Sequence, residues 1–76
     1  MLNITIGTNT SRKKVIVAPN LTLRAALEQN GVNTNVGTIC IDGNPKVASD
    51  LDKTLAELNV QNNAFIISVA KADNAQ

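Results

Sequence analysis

The amino-terminal third of the chain alternates between apolar and polar side chains. Leu2, Ile4 and Ile6 are separated by single polar residues, and this period of two is typical of a strand with one buried face. A run of turn-forming residues follows. A second strand is then predicted over 14–18, ending at Pro19, which has no N–H to donate to a ladder. Two such strands joined by a short polar segment predict a hairpin.

The next segment has the pattern of a short amphipathic helix. Thr22 is a favourable N-cap residue, and Gly31 stands where a left-handed residue commonly ends a helix, so the helix is predicted over 23–30. Its apolar face consists of Leu23, Ala26 and Leu27. Because an isolated helix of this length does not persist in water, it must be held by packing against a sheet.

Three further strands are predicted beyond the helix. They are 38–41, the short 46–48 after a turn at 42–45, and 64–71. Between the last two strands, Asp52 is predicted to cap a helical turn over 53–58.

The register of the last strand is predicted from Ser68, because a hydroxyl is cheaper to leave in water than to bury without a partner. This choice also directs Ile66 outward. The predicted core is the inward row of each strand and helix: Ile4, Ile6, Val15, Val17, Leu23, Ala26, Leu27, Ile39, Ile41, Leu51, Leu55, Leu58, Phe65, Ile67 and Val69.

The order of elements favours an α+β fold, with a mixed sheet of four to five strands and one helix packed across one face. The 76 residues (8.0 kDa) form one predicted domain over 1–71, followed by a flexible tail over 72–76.

Composition excludes several kinds of site. With no His and one Cys, the chain lacks the ligands for a four-ligand zinc site, a cysteine-ligated iron–sulfur cluster or an internal disulfide. A net charge of +1 excludes a strong general polyanion binder. Without His, no nucleophile–base–orienter set can be assembled, and so small a sheet is predicted to offer little concave volume. We therefore expect no catalytic residue, no metal and no cofactor.

The expected location is the cytoplasm. The amino terminus has no secretory signal pattern, and the apolar run over 64–67 is far shorter than a membrane helix. A single unpaired Cys also fits a reducing compartment.

Four segments resemble ubiquitin in order and spacing. They are 1–6, 20–23, 39–44 and 52–60, of which Thr54-Leu55-Ala56-Glu57-Leu58-Asn59-Val60 is the most specific. The chain thus resembles the β-grasp fold of ubiquitin and its prokaryotic relatives over nearly its whole length.

The resemblance also implies a functional contrast. Ubiquitin and the thiamine and molybdopterin sulfur carriers end in Gly-Gly, whereas this sequence ends Asn74-Ala75-Gln76. Activation at the C-terminus is therefore not expected. In this respect the chain is similar to the YukD-like bacterial ubiquitin-like proteins, which act through protein contacts rather than conjugation.

Ubiquitin's recognition patch is an apolar spot on the open side of its sheet, and Cys40 stands at the position that matches its central isoleucine. The open side is expected to be more polar than in ubiquitin, with Ile66 as its large apolar residue; Ile16 is a second outward candidate. The candidate contact residues are Arg12, Lys13, Lys14, Cys40, Ile66 and Ser68.

The predicted function is that of a non-conjugating ubiquitin-like interaction module or adaptor, which binds another protein through its sheet face or edge. The domain itself is expected to be a monomer or a weak homo-oligomer, with no membrane partner. Two alternatives stay open. One is a sulfur-carrier-type modifier whose Gly-Gly is absent from this sequence, and the other is a nucleic-acid accessory domain that uses a basic hairpin tip at Arg12–Lys14.

Overall fold

The computed structural model describes residues 1–35 and 37–69. The strands are β1 (Leu2–Thr8), β2 (Arg12–Val17), β3 (Thr38–Ile41), β4 (Asn44–Lys46) and β5 (Ala64–Val69). The helix α1 spans Leu23–Gln29, and a 3₁₀ helix spans Ala48–Asp52. The predicted tail over 72–76 lies outside the described residues, as does the predicted end of the last strand.

All five strands join one mixed sheet in the order β2-β1-β5-β3-β4. The central pair, β1 and β5, is parallel, and every other neighbouring pair is antiparallel. Ile6 lies opposite Ile66 in the parallel pair, and Ile41 lies opposite Ile66 on the other side. Because directly paired residues project to the same side of a sheet, these side chains form one continuous inner row under α1.

The predicted register of the last strand is wrong. Ile66 is fully buried and Ser68 is only 6% exposed, whereas Phe65 and Val69 are 46% and 39% exposed. Pairing with β1 determines which side of the sheet each β5 residue faces. Ile66 lies opposite Ile6, so an outward Ile66 would require an outward Ile6. Ser68 lies at the rim of the core beside Gly37, where a serine is small enough to fit.

Outside β5, most of the residues that the sequence predicts to be in the core are buried in the structure. The buried residues that the sequence predicts are Ile4, Ile6, Val17, Leu23, Ala26, Leu27, Ile39, Ile41, Leu51 and Leu55. Val15 and Leu58 are partly buried and pack against this cluster. Buried positions that the sequence does not point to are Val32, Val60, Ala64 and Ile66. Ile67 is buried as predicted, but on the other side of the sheet.

Both ends of α1 are capped as the sequence predicts. The Thr22 hydroxyl accepts a hydrogen bond from the Ala25 N–H (3.2 Å). At the other end, the Val32 N–H donates to the Leu27 carbonyl (2.9 Å), and Gly31 has φ +76°. This six-residue closure with glycine in the left-handed region is a Schellman motif, which ends the helix and folds Val32 back onto the core.

The β3–β4 hairpin is tighter than predicted. Asp42 and Gly43 have φ values of 52° and 85°, so they form a two-residue turn of the type that matches the twist of antiparallel strands. The second strand therefore begins at Asn44, and Pro45 lies inside it rather than before it. An edge strand tolerates this proline because its missing N–H need not face a neighbour.

The predicted cap at Asp52 is also wrong. Asp52 instead pairs with Arg24 on α1, with 3.3 Å between Oδ1 and Nη2. The turn over 54–59 is capped by Thr54, whose hydroxyl accepts from the Glu57 N–H (3.1 Å) while its own N–H donates to the Glu57 carboxylate (2.8 Å). This reciprocal pair satisfies two donors at once, which a single aspartate before the turn does not.

The register of β5 is tested by paired substitutions. We expect Ile66→Ala to lower the free energy of unfolding by about 2–5 kcal/mol because it leaves a cavity, and Ile66→Val by about 0.5–1.5 kcal/mol. Phe65→Ala, on the exposed row, should cost about 1 kcal/mol or less. Urea denaturation followed by circular dichroism measures all three, and a larger loss for Phe65→Ala than for Ile66→Ala would contradict the register.

A second prediction concerns Asp50. The Lys53 ammonium, 3.2 Å from Oδ1, and the Val47 N–H, 3.2 Å from Oδ2, lower the pKa of this carboxyl from its ordinary value. Since the folded pKa is the lower one, the stabilisation is complete above the unfolded value of about 3.9 and is lost as the pH falls through the folded pKa. An NMR titration of the carboxyl carbon should show this pKa rising in Lys53→Ala, and an unchanged value would rule out the proposed cause.

Candidate protein-binding face

One side of the sheet faces away from α1 and the core, and we refer to it as the open face. Strand alternation places on it the following residues: Arg12, Lys14 and Ile16 of β2, Asn3, Thr5 and Gly7 of β1, Phe65, Ile67 and Val69 of β5, Thr38 and Cys40 of β3, and Pro45 of β4. The register of all five strands thus brings together side chains from both ends of the sequence.

The centre of the open face is an apolar strip along β5. Phe65 and Val69 project into solvent, and Ile67 lies between them, almost covered by its neighbours. Cys40 is half-buried and directly opposite Ile67 on β3. The open face is therefore less polar than the sequence predicts, because the row that the sequence assigns to the core is the row that faces solvent.

A groove of about 570 Å³ crosses the open face between Ile16 and Phe65. Asn3 and Thr5 of β1 form its floor, and Lys14 lies beside Ile16 along β2. One strand separates β2 from β5, and the partners of Ile16 and Phe65 on β1 are Asn3 and Thr5, two residues apart. The two apolar walls therefore stand about 12 Å apart. The prediction of little concave volume is wrong at this position, where large side chains flank a strand with small polar ones.

The backbone of Phe65 is fixed from the β3 side. Its N–H donates to the Asp42 carboxylate (3.0 Å), and its carbonyl accepts from the Asp42 N–H (2.8 Å). Asp42 thereby extends the β3 ladder by one residue through its side chain. The exposed aromatic ring is attached to a rigid backbone.

The loop before β5 is fixed to β1 by two hydrogen bonds. The Asn3 N–H donates to Oδ1 of Asn62 (3.0 Å), and the Asn63 N–H donates to the Asn3 carbonyl (2.6 Å). Asn63 has φ +69°, a conformation that asparagine adopts more readily than most residues. These contacts hold the end of the groove in place.

The predicted basic cluster is divided between the two sides of the sheet. Arg12 and Lys14 project onto the open face, whereas Lys13 pairs with Ile6 and projects to the other side, toward the end of α1 at Asn30. Within residues 1–35 and 37–69, the two ion pairs are Arg24–Asp52 and Lys53–Asp50, so neither open-face cation has a carboxylate partner there.

The six predicted contact residues therefore have different locations. Arg12, Lys14 and Cys40 are on the open face, as is Ile16. Lys13 is on the opposite side, and Ile66 and Ser68 are buried on the core side of the sheet, so the predicted outward positions of Ile66 and Ser68 are wrong. The residues that the sequence analysis missed on this face are Phe65, Ile67 and Val69. The one signal that identifies them is the pairing of β5 with β1.

Comparison with known proteins supports the fold. No family model matches the chain, and no curated protein matches it. Among solved structures, the chain matches a de novo designed protein based on ubiquitin, with a TM-score of 0.69 over 99% of this chain and 94% of that one. The chain has the ubiquitin-like β-grasp fold.

The ubiquitin-like fold confirms the predicted α+β class, with its mixed sheet and single packed helix. Sequence identity to the designed protein is 21%, so the likeness concerns the fold alone. Over the described ranges, none of the helices is both long and apolar enough to cross a membrane.

The loop contacts at Asn3 generate a test of how the groove is held. We expect Asn62→Ala to speed hydrogen exchange of the Asn3 amide and to lower stability by about 0.5–1.5 kcal/mol, because the side-chain acceptor is lost. The matched control is Gln61→Ala, whose side-chain amide donates to the nearby Asn59 carbonyl (3.2 Å). Equal exchange rates for the Asn3 amide in both variants would show that Asn62 does not hold this loop.

Proposed function

We propose that this domain is a protein-interaction module or adaptor, which binds another protein noncovalently through the open face. The observation that carries the proposal is the exposure of Phe65, Val69 and Ile16 on one side of the sheet. The proposal assigns the domain no catalytic role and no cofactor.

The distribution of exposed apolar side chains supports this function. The large exposed hydrophobic residues over the described ranges are Met1, Ile16, Val47, Phe65 and Val69, and three of these five share the open face. Single exposed apolar residues are ordinary on protein surfaces, whereas several exposed apolar residues on one face are more typical of a binding site. Phe65 is also the only aromatic residue of the chain. Aromatic side chains are enriched in the buried centres of protein interfaces.

The rigidity of this face also favours binding. β5 is hydrogen-bonded along both sides, to β1 and to β3, and the Phe65 backbone is further held by Asp42. Ordering of flexible side chains and loops on association opposes binding, so an apolar strip on a fixed central strand loses less entropy than one on a loop.

Polar groups around the apolar strip would orient a bound partner. Asn3 and Thr5 line the groove beside Phe65, and Lys14 lines its β2 side. Arg12 lies further along β2 on the same face, opposite Gly7. An apolar centre with a polar margin is the usual composition of a protein interface. Two cations on this face are few for nucleic-acid binding at physiological salt, which needs many phosphate contacts.

The test compares variants on and off the open face. The tagged domain is used to capture partners from extracts of the source cell, and each purified partner is then titrated by calorimetry. We expect Phe65→Ala to weaken binding by about tenfold or more, as for an aromatic residue at the centre of an interface. Val69→Ala should weaken it less because it removes less apolar area.

The matched control is Val47→Ala, which removes an aliphatic side chain that lies outside the open face and is more exposed (65%) than Phe65 or Val69. This variant should bind within about twofold of the wild type, as expected for a position outside the contact. A partner whose affinity falls as much with Val47→Ala as with Phe65→Ala would contradict the assignment of the open face.

A further inference from the structure

The groove on the open face has an ordered arrangement of apolar and polar side chains. On β1, Asn3 and Thr5 form its floor. Ile16 lies opposite Asn3, whereas Lys14 and Phe65 both lie opposite Thr5, one on each side. The two apolar walls therefore stand on a diagonal across β1, and a cation lies next to the aliphatic wall.

The width of the groove limits what it can hold. The walls are about 12 Å apart at the backbone. Their side chains take up part of this distance, so an α-helix of about 10–12 Å diameter does not fit between Ile16 and Phe65. A single flat side chain does fit. A ring midway between the walls lies about 6 Å from each, inside the range of about 4.5–7 Å over which aromatic rings pack on one another. The walls therefore favour one aromatic side chain.

The floor of the groove adds a hydrogen-bonding requirement. Asn3 uses its backbone groups in the contacts to Asn62 and Asn63. Over residues 1–35 and 37–69, its side-chain amide and the Thr5 hydroxyl have no hydrogen-bond partner in the chain. A wholly apolar occupant would remove these groups from water without replacing their partners, which opposes binding. A phenol hydroxyl supplies a donor and an acceptor at the tip of a ring. Tyrosine therefore meets both requirements, and phenylalanine meets only the first.

Lys14 makes one side of the groove positive. Within the described ranges, no carboxylate lies within ion-pair distance of Lys14 or of Arg12, which stands two residues further along β2 on the same face. A carboxylate beside the inserted ring would therefore meet cations. The diagonal from Lys14 to Asn3 spans about 8 Å across neighbouring strands. One tyrosine residue covers this distance with its main chain near Lys14 and its hydroxyl at Asn3, so the acidic residue adjoins the tyrosine in sequence.

We propose that the groove takes a tyrosine side chain of a partner protein, with an acidic residue next to that tyrosine. The ring lies between Ile16 and Phe65. Its hydroxyl hydrogen-bonds to the Asn3 side-chain amide, and the neighbouring carboxylate pairs with Lys14. A second copy of this chain cannot supply such an anchor, since the sequence contains no tyrosine. The inference rests on the proposed function, because it names what a protein partner inserts on the open face.

The probe is the synthetic peptide acetyl-Gly-Glu-Tyr-Glu-Gly-amide, titrated into the isotope-labelled domain and followed by NMR. A glutamate on each side of the tyrosine presents a carboxylate to Lys14 in either chain direction. Phe65 is the one aromatic residue of the domain, so contacts of the probe's ring are readily assigned. We expect saturable shifts, with NOEs from that ring to the Ile16 methyl groups and the Phe65 ring. No saturable shift by about 5 mM peptide, or NOEs only to residues outside the groove, would overturn the proposal.

Replacing the tyrosine of the probe with phenylalanine tests the hydroxyl contact. The phenylalanine peptide should bind about fivefold more weakly, because it covers the Asn3 amide without pairing it. In Asn3→Leu the two peptides should bind within about twofold of each other. The backbone contacts of this residue to Asn62 and Asn63 do not depend on its side chain. Equal binding of both peptides to the wild type would indicate a plain apolar anchor and would overturn the assignment of tyrosine.

Neutralising Lys14 tests the carboxylate contact. Lys14→Gln should weaken binding of the glutamate peptide by about threefold, a loss typical of an exposed ion pair. The matched control is Lys13→Gln, which changes the net charge equally one residue away but projects to the opposite side of the sheet. This control should bind within about 1.5-fold of the wild type. Equal losses from the two variants would reduce the contact to general attraction between opposite charges and would overturn the placement of the acidic residue.

Two aliphatic truncations on the open face test the position of the ring. Ile16→Ala removes one wall and should weaken the peptide by about fivefold through lost apolar contact. Val69 also faces solvent on this side of the sheet but lies outside the groove. Val69→Ala should therefore leave the peptide within about twofold of the wild type. A larger loss from Val69→Ala than from Ile16→Ala would place the ring elsewhere on the open face and overturn the proposal.

The same truncation separates this inference from the proposed function. Val69→Ala should weaken binding of a whole partner while the peptide is unaffected, because only the partner also covers the strip on β5. A peptide that fails to bind overturns the tyrosine anchor alone. The comparison of Phe65→Ala with Val47→Ala on a captured partner then still decides the proposed function.

Discussion

The parallel pairing of β1 with β5 is the constraint on which the rest of the structure depends. It joins the two ends of the described chain at the centre of the sheet, with Ile6 opposite Ile66. A shift of one residue in this pairing would exchange the two rows of β5, placing Phe65 under α1 and Ile66 in solvent. The composition of both the core and the open face thus follows from one register.

Much of the fold can be predicted from local pattern. The rows of β1, the capping by Thr22 and the role of Gly31 each depend on a few neighbouring residues, and all three are as the sequence indicates. The start of β4 could not be placed, because Asp42-Gly43-Asn44-Pro45 contains two possible turns and only the hairpin geometry selects the first. Features that depend on neighbouring residues can therefore be predicted from the sequence. The position of a turn within a hairpin cannot, because it depends on how the two strands pair.

The last strand shows the limit of periodicity. Its two rows, Ala64-Ile66-Ser68 and Phe65-Ile67-Val69, are both largely apolar, so alternation alone does not distinguish inside from outside. A preference against burying one hydroxyl favours the wrong row, since Ser68 lies at the rim, where that cost is small, while Ile66 lies at the centre. Because of the same ambiguity, the sequence does not identify Phe65, Ile67 and Val69 as residues of the open face. The sequence identifies Arg12–Lys14 as a cluster of basic residues. Their division between the two sides of the sheet follows from the alternation of side chains along β2.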